Sequence, residues 1–485
     1  MNEPPLLPAP DAYRRRPLRS WLRLTIDARR AAREGPAAIA ARQDARLRVI
    51  VAHARARSPY YRERWSGLPD APRLDELPPV SKPELMACFD DWLTDPRVRL
   101  RDVEAFISDP ARTGELFAGE FAAWTTSGTT GQPGVFVHDR VARGVYDALL
   151  VARTRVVTPS RLLRALGQGL RIAAVVATGG HHVSTTLVNL NRHRFPVLAP
   201  RIRTFSVLTP LPRLVAALNA FDPAILVGYP TAVHLLAQEA ERGRLRIRPA
   251  LVEVGGEVLT AEARATIERS LSTRVVDQYA AAEFPGIAFS CRMGRLHANS
   301  DWVILEPVEA DFSPTPPDQA SHTVLVTNLA NRVQPIVRYD LGDSLTVSSV
   351  PCACGSPLPA IAVGGRRGDV LRFPGADGRE IAILPLALGT VVEKTPGVRR
   401  FQAYQSGNRE LRVRIEPDDA SDREATWARV VDRVDRYLAS QAIVGVRLVR
   451  DEALPARDPR SQKFQAVWDA RTRPAALATR IGEPS

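Results

Sequence analysis

Lysine is nearly missing from this 485-residue chain: of 66 basic residues only three, Lys82, Lys394 and Lys463, are lysine. Arginine in its place throughout reads as a compositional bias. The basic residues are spread along the chain, and no zinc-finger, RNA-recognition or helix-turn-helix pattern accompanies the formal charge of +13. No nucleic-acid partner is expected; a surface of this sign suits anionic small molecules or an acidic carrier protein. Cysteine is also scarce, and four residues are too few for a disulfide framework. Long apolar runs are absent. The longest, around Ile172 to Ala177, has the length of a strand, so no membrane span is expected. Without an apolar leader and cleavage site at the N-terminus, the expected location is the cytoplasm.

Present instead are enough apolar residues, 45%, for real cores, and more chain than one core uses. Residues 1–57 are arginine- and alanine-rich and helical in pattern after a proline-rich start, which reads as a peripheral segment. From about residue 120, short apolar runs alternate with helical patterns: Arg171 to Thr178, Leu211 to Ala220, Ala224 to Val227, Thr231 to Gly243, Leu251 to Val254, Ala261 to Ser270, Val275 to Asp277. Such alternation predicts an α/β sheet. Asp311 to Asp318 is a proline-rich loop, and Thr323 to Thr327 a β-branched strand. Past Gly364-Gly365 the composition shifts to a charged α+β stretch ending near 470, a second and smaller domain. No internal repeat is visible.

Thr125 to Gly134 reads Thr-Thr-Ser-Gly-Thr-Thr-Gly-Gln-Pro-Gly. Gly128 and Gly131 allow positive φ and close approach to an anion, and Ser127, Thr129 and Thr130 offer hydroxyls and amides to it. This is not the P-loop of strand–loop–helix nucleotidases, because no lysine follows and Gly134 to His138 reads as a strand. Three more segments fit the same site. Val276 to Glu283 runs off a strand through small residues to a carboxylate; Tyr279 can stack on a base, and Glu283 can hold Mg²⁺. Pro335 to Asp343 ends with Asp343 in a tight turn, where a carboxylate can accept both ribose hydroxyls. Gly365-Arg366-Arg367-Gly368-Asp369 follows. Singly, these are equally a helix-start acid, a turn aspartate and a solvated charged turn.

Cys291 and His297, spaced C-x5-H, and the Cys352-Ala-Cys354-Gly355 turn together offer a Cys₃His ligand set for a structural zinc. Buried reduced thiols without metal are the alternative. Cys88 stands alone.

Taken in this order, the motifs resemble the adenylate-forming superfamily, most of all its phenylacetate-CoA ligase-like branch, over roughly residues 50 to 470. His53 to Arg62 and Leu77 to Lys82 are similar to that branch's early region. The resemblance implies an α/β fold: a large multi-subdomain N-terminal domain over 1–365 and a small mobile α+β lid over 366–475, then a tail over 476–485. It implies ATP-dependent activation of a small, aromatic carboxylic acid as acyl-AMP, then transfer to CoA. Transfer to an acyl carrier protein or an amine, or a non-catalytic nucleotide binder, remain open. Carried over residue by residue, Thr126 and Ser127 to Gly131 wrap the phosphates; Gly256, Tyr279, Asp343 and Arg366 hold the nucleoside. Glu283 binds Mg²⁺, and Lys463 is the catalytic lysine of the lid. Tyr229, Gly255, Ala280 and Ala281 line the acid pocket; the loop with His181 and His182 can add a polar wall, ordinary loop histidines being the favoured alternative. Gln462 before Lys463, Gly134 after the loop proline, and Gly368 at the hinge depart from the family pattern.

Overall fold

The computed structural model describes residues 17–126, 134–154, 159–178, 180–194, 196–364, 371–377, 379–418, 421–456 and 465–472. They gather into two compact units, one from residues within 1–127, 134–205 and 218–365, the other from residues within 206–217 and 366–485.

A nine-stranded sheet organises the first unit, in the order Ser344–Val347, Ala360–Gly364, Leu296–Ala298, Ala288–Ser290, Val275–Tyr279, Leu251–Gly255, Ile225–Gly228, Ile172–Val176, Ile202–Ser206. Neighbours from Ile172–Val176 to Val275–Tyr279 pair in parallel. The helices Pro230–Glu241 and Ala261–Ser270 make the returns that parallel pairing needs. Beyond Val275–Tyr279 the sheet is antiparallel. That strand is therefore where the pairing changes sense. It runs two residues past the Asp277 end expected from the sequence, because Gln278 and Tyr279 find partners in Phe289 and Ala288.

Ahead of the sheet in sequence, Ala122–Thr125 pairs antiparallel with Val135–His138 to form a buried hairpin. A three-stranded sheet of Val303–Val308, Thr323–Asn328 and Tyr339–Asp340 packs its apolar side chains into the same cores.

The segment expected to be peripheral is not. Its helices Pro17–Glu34 and Pro36–Arg57 bury Ala28, Ile50 and Ala54 completely. Arg46, 1% exposed, lies over the Trp302 ring at 3.5 Å and pairs with Asp27 at 2.5 Å. Composition misled here: an arginine that reads as surface is buried with its charge matched and its plane stacked on an aromatic ring.

The second unit holds a four-stranded sheet in the order Arg447–Arg450, Glu410–Pro417, Val398–Gly407, Val467–Asp469. The helices Pro385–Glu393 and Arg423–Ser440 pack on it, and Tyr404 stacks on Trp468 at 4.8 Å.

Candidate functional site

In open parallel sheets, ligands sit beyond the carboxyl ends of the strands, next to a change in strand order or sense. Four of the segments singled out in the sequence lie there: Thr178 to His182, Tyr229, Gly255-Gly256, and Tyr279 to Glu283 each follow one of the parallel strands. The backbone is crowded at this edge. A Cβ on Gly255 would meet the Gln278 carbonyl oxygen at 2.9 Å. Gly256, at φ +82, lies against the Tyr229 ring, 3.3 Å from where its Cβ would stand. Larger residues there would push the two strand ends apart.

Tyr229 is fixed by its hydroxyl, which accepts from Ala177 N at 3.4 Å and shares a hydrogen bond with Ser184 Oγ at 3.2 Å. Glu257 reaches back to accept from Thr231 N at 3.1 Å and Thr231 Oγ1 at 2.6 Å, tying the helix start after Tyr229 to the Gly255-Gly256 loop. Burial pushes the Glu257 carboxyl above its ordinary range.

The turn carrying Glu283 closes on itself. Ala281 N donates to Phe284 O at 3.2 Å, and Phe284 N to Ala281 O at 3.1 Å. Three side chains from distant sequence grip its backbone. Trp124 Nε1 and His138 Nε2 both meet the Ala282 carbonyl, at 2.9 and 3.0 Å, and Asn328 Nδ2 donates to Glu283 O at 2.9 Å. Burial lowers His138 to a pKa of about 3, so its ring is neutral, and Nε2–H donates to that carbonyl.

So held, the Glu283 side chain is 4% exposed. Burial raises its pKa, while a hydrogen bond from the Tyr339 hydroxyl and the positive charge of Lys82 oppose the rise. Lys82 is brought close by the Val80–Tyr339 bridge, in which Val80 N donates to Arg338 O at 3.0 Å and Asp340 N to Val80 O at 2.9 Å. The Lys82 stem also lies beside Gly134, its Cδ 3.4 Å from the position of a Cβ there. Asp343 completes the group: its Oδ2 accepts from the Tyr279 hydroxyl at 2.9 Å. Burial first, then the Asp343 charge, holds that phenol protonated. The turn before Asp343 has Gly342 at φ +75, its N–H donating to Thr323 Oγ1 and Asp340 Oδ1 at 3.1 and 3.0 Å.

The structure thus brings Tyr279, Ala280, Ala281, Glu283 and Asp343 together, with Tyr229, Gly255 and Gly256 at the same sheet edge. Thr126 has a structural role besides the expected one. Its Oγ1 accepts from Gly134 N at 2.8 Å and its N–H donates to Gly134 O at 3.0 Å, so it closes the base of the loop. The His181 ring is buried against Phe106 at 5.2 Å, and burial lowers its pKa; it is a packed histidine, not a solvated loop one. Ser127, Gly128, Thr129, Thr130, Gly131, Arg366, Gly368, Gln462 and Lys463 lie outside the described residues. Sequence reading missed Tyr339 as the partner of Glu283 and gave Lys82 no role. Lysine scarcity was the available signal for Lys82.

The second constellation lies in the antiparallel half of the sheet. Ligand atoms of Cys291, His297, Cys352 and Cys354 all fall within 4.8 Å of one another. Cys291 and Cys352 Sγ are 3.8 Å apart, close to the edge of a tetrahedron with metal–sulfur bonds of about 2.3 Å. Cys354 Sγ is 3.4 Å from His297 Nε2. His297 Nδ1 meets Leu358 O at 2.7 Å, which fixes the tautomer with Nε2 free to ligate, and burial keeps the ring neutral.

No family model matches the chain. It is 24% identical over 469 residues to the phenylacetate-coenzyme A ligase of Thermus thermophilus, covering 88% of this chain and 96% of that one. A shorter likeness, 25% over 134 residues, is to protein CapK of Staphylococcus aureus and spans 27% of this chain and 28% of that one. Among solved structures, 2-hydroxyisobutyryl-CoA ligase with 2-HIB-AMP and CoA in its thioesterification state superposes with a TM-score of 0.52 at 21% identity, covering 88% of each chain. The same ligase in a postadenylation state gives 0.50, also at 21% identity, with 88% of this chain and 89% of that one covered. The resemblance read from motif order is borne out, and so is the α/β fold class.

Proposed function

We propose that this chain, a relative of phenylacetate-CoA ligase with the fold of adenylate-forming ligases, activates a small carboxylic acid with ATP and passes the acyl group to the thiol of CoA. The observation that carries the reading is the joined cluster of Tyr279, Asp343, Glu283 and Tyr339 beside Lys82, at the point where the sheet changes sense. An adenylate needs a ring to stack on, a carboxylate for its ribose, and cationic or metal neutralisation of its phosphates. Each has a residue here.

In this reading the acid lies among Tyr229, Gly255, Ala280 and Ala281, where small side chains leave room for an aromatic ring. A carboxylate oxygen attacks the α-phosphorus and pyrophosphate leaves. The carboxylate is already ionised at neutral pH, so no general base is required, and positioning plus charge neutralisation carries the rate. Tyr279 stacks on adenine while Asp343 steadies its hydroxyl and keeps its other oxygen for the ribose. Lys82 and the loop Ser127 to Gly131 face the phosphates. Glu283 fits a Mg²⁺ site: a buried carboxylate with one oxygen engaged and a cation nearby that eases ionisation. Magnesium supplies charge neutralisation of the phosphates when bound. Lys463, on the lid over 366–475, bridges the carboxylate and the α-phosphate. In the second step the thiol sulfur attacks the acyl carbon and AMP leaves. The Cys₃His set holds a zinc as a staple with no open position.

Acid-dependent release of pyrophosphate from ATP, screened over aromatic and aliphatic carboxylic acids, tests the first half; no release with any acid overturns the reading. Faster AMP release on adding CoA tests the second. If acyl-AMP forms and CoA never accelerates AMP release, the acceptor is a carrier-protein thiol or an amine.

A further inference from the structure

Away from this site, a cavity of about 520 Å³ lies between the helices Arg140–Arg153 and Val183–Arg194 and the loop from Gly114 to Gly119. That volume is in the range of small-molecule pockets. Its lining includes Arg140, Arg143, His193 and Arg194 with the apolar Leu116 and Leu190. It sits at the end of the hairpin where Ala122 pairs with His138; Thr125 and Val135 pair at the other end, about 10 Å away along the strands.

Among the described residues, Arg140 and Arg143 have no ion pair. Arg194 pairs with Asp147 at 2.5 Å. The nearby acids are engaged elsewhere: Asp139 caps its helix by accepting from Val141 N and Ala142 N at 2.8 Å and takes Arg332 N at 2.9 Å, and Glu115 pairs with Arg112 at 3.2 Å. The buried Nε atoms of Arg140 and Arg143 have no hydrogen-bond partner among the described residues, while Arg140 Nη2 donates to Gly119 O at 3.4 Å. Burial, reinforced by Arg140 and Arg194, outweighs the opposing charges of Asp147 and Asp139 and pushes the Arg143 pKa down to about 10. A chain that buries guanidinium donors unpaired loses stability, unless something anionic completes them.

We propose that this cavity is an anion site that takes the phosphate group of a small phosphate ester, with Arg140 and Arg143 donating to its oxygens and Leu116 and Leu190 packing on its carbon body. Guanidinium forks match phosphate geometry, and the apolar walls give the rest of the ester a surface.

Inorganic phosphate is the probe, compared with chloride at constant ionic strength by equilibrium dialysis and thermal unfolding. The wild-type protein binds phosphate, and its unfolding midpoint rises by about 2 °C. Arg143→Met abolishes that rise and unfolds at a higher temperature than wild type in chloride, because an unanswered charge has gone. Arg140→Gln weakens phosphate binding at least about fivefold. Thr130→Ala, altered in the hydroxyl-rich loop, keeps the rise. Should Arg143→Met fail to fold, Arg140→Gln decides. The proposal is overturned if the arginine variants bind phosphate like wild type, or if Thr130→Ala alone removes the effect, which would move the bound phosphate to the loop.

Discussion

The two halves of the nine-stranded sheet carry opposite kinds of site. In the parallel half, polar groups are gathered at the strand ends and desolvated: Glu283, Glu257 and Tyr279 are all pushed away from their charged forms by burial. In the antiparallel half, Cys291, His297, Cys352 and Cys354 face one another with sulfur and imidazole within bonding range of one small centre. The first arrangement costs folding energy and is held by the rest of the chain; the second adds folding energy once filled. Substitutions in the parallel half should therefore cost rate and spare stability. In the antiparallel half the cost should fall the other way.

The largest expected effect belongs to Lys463, to which the proposed mechanism gives a part in adenylation only. Lys463→Ala lowers acyl-AMP formation from acid and ATP by on the order of 10² to 10³. Synthetic acyl-AMP plus acceptor still gives product at near wild-type rate. Equal loss in both half-reactions would falsify a role confined to adenylation, and no loss in either would leave Lys463 a solvated tail residue.

Next comes Glu283→Gln, expected to slow pyrophosphate release by roughly 10² while leaving the unfolding midpoint unchanged or higher. A carboxyl whose folded-state pKa is raised destabilises the fold once ionised, so the variant's advantage appears as pH rises above the ordinary carboxylate range and fades in acid. A variant that loses stability and rate together breaks the contrast between the halves.

Cys352→Ser tests the other half. Freshly purified protein should carry about one zinc per chain, and the variant should lose zinc and several degrees of thermal midpoint while retaining most adenylation activity. Metal analysis that finds no zinc in protein never exposed to chelator removes the staple.

The smallest effect sharpens the comparison within the parallel half alone. Glu253, in the strand Leu251–Gly255, is raised by burial to a pKa of about 7. Its destabilising charge is absent in acid and develops between the ordinary carboxylate range and about pH 7. Glu253→Gln should match wild type near pH 4 and exceed it by on the order of 1 kcal/mol at pH 8, read by urea unfolding at the two pH values. Identical curves at pH 8 would show that water reaches this carboxyl.

The site's outline was legible because Tyr279 to Glu283, Asp343 and the Cys₃His residues each stand in short contiguous strings that follow a strand. What holds those strings was not. Trp124 meets the Ala282 carbonyl across 158 residues and His138 across 144, so no window of sequence contains the clamp. Lys82 joins the group through a single bridge to Tyr339 that no periodicity announces. Thr126 also closes the base of the hairpin, where its Oγ1 accepts from Gly134 N, a role its sequence context does not announce. The burial of residues 17–57 was hidden for a related reason: alanine and arginine read as surface until Trp302 and Asp27 are seen beside Arg46.

The doubly gripped Ala282 carbonyl has a kinetic consequence. Neither donor can reach it until the hairpin of 122–138 has closed and the chain has been made at least as far as residue 284. Contacts of such long loop span form late, because the entropy of closing the loop is lost before the contact returns anything. Glu283 is therefore expected to acquire its orientation late in folding, after the sheet. A nascent or half-refolded chain would have strands and a core but no ordered Glu283 carboxylate. Recovery of activity after dilution from denaturant should trail recovery of secondary structure, and the interval between them measures how late the clamp closes.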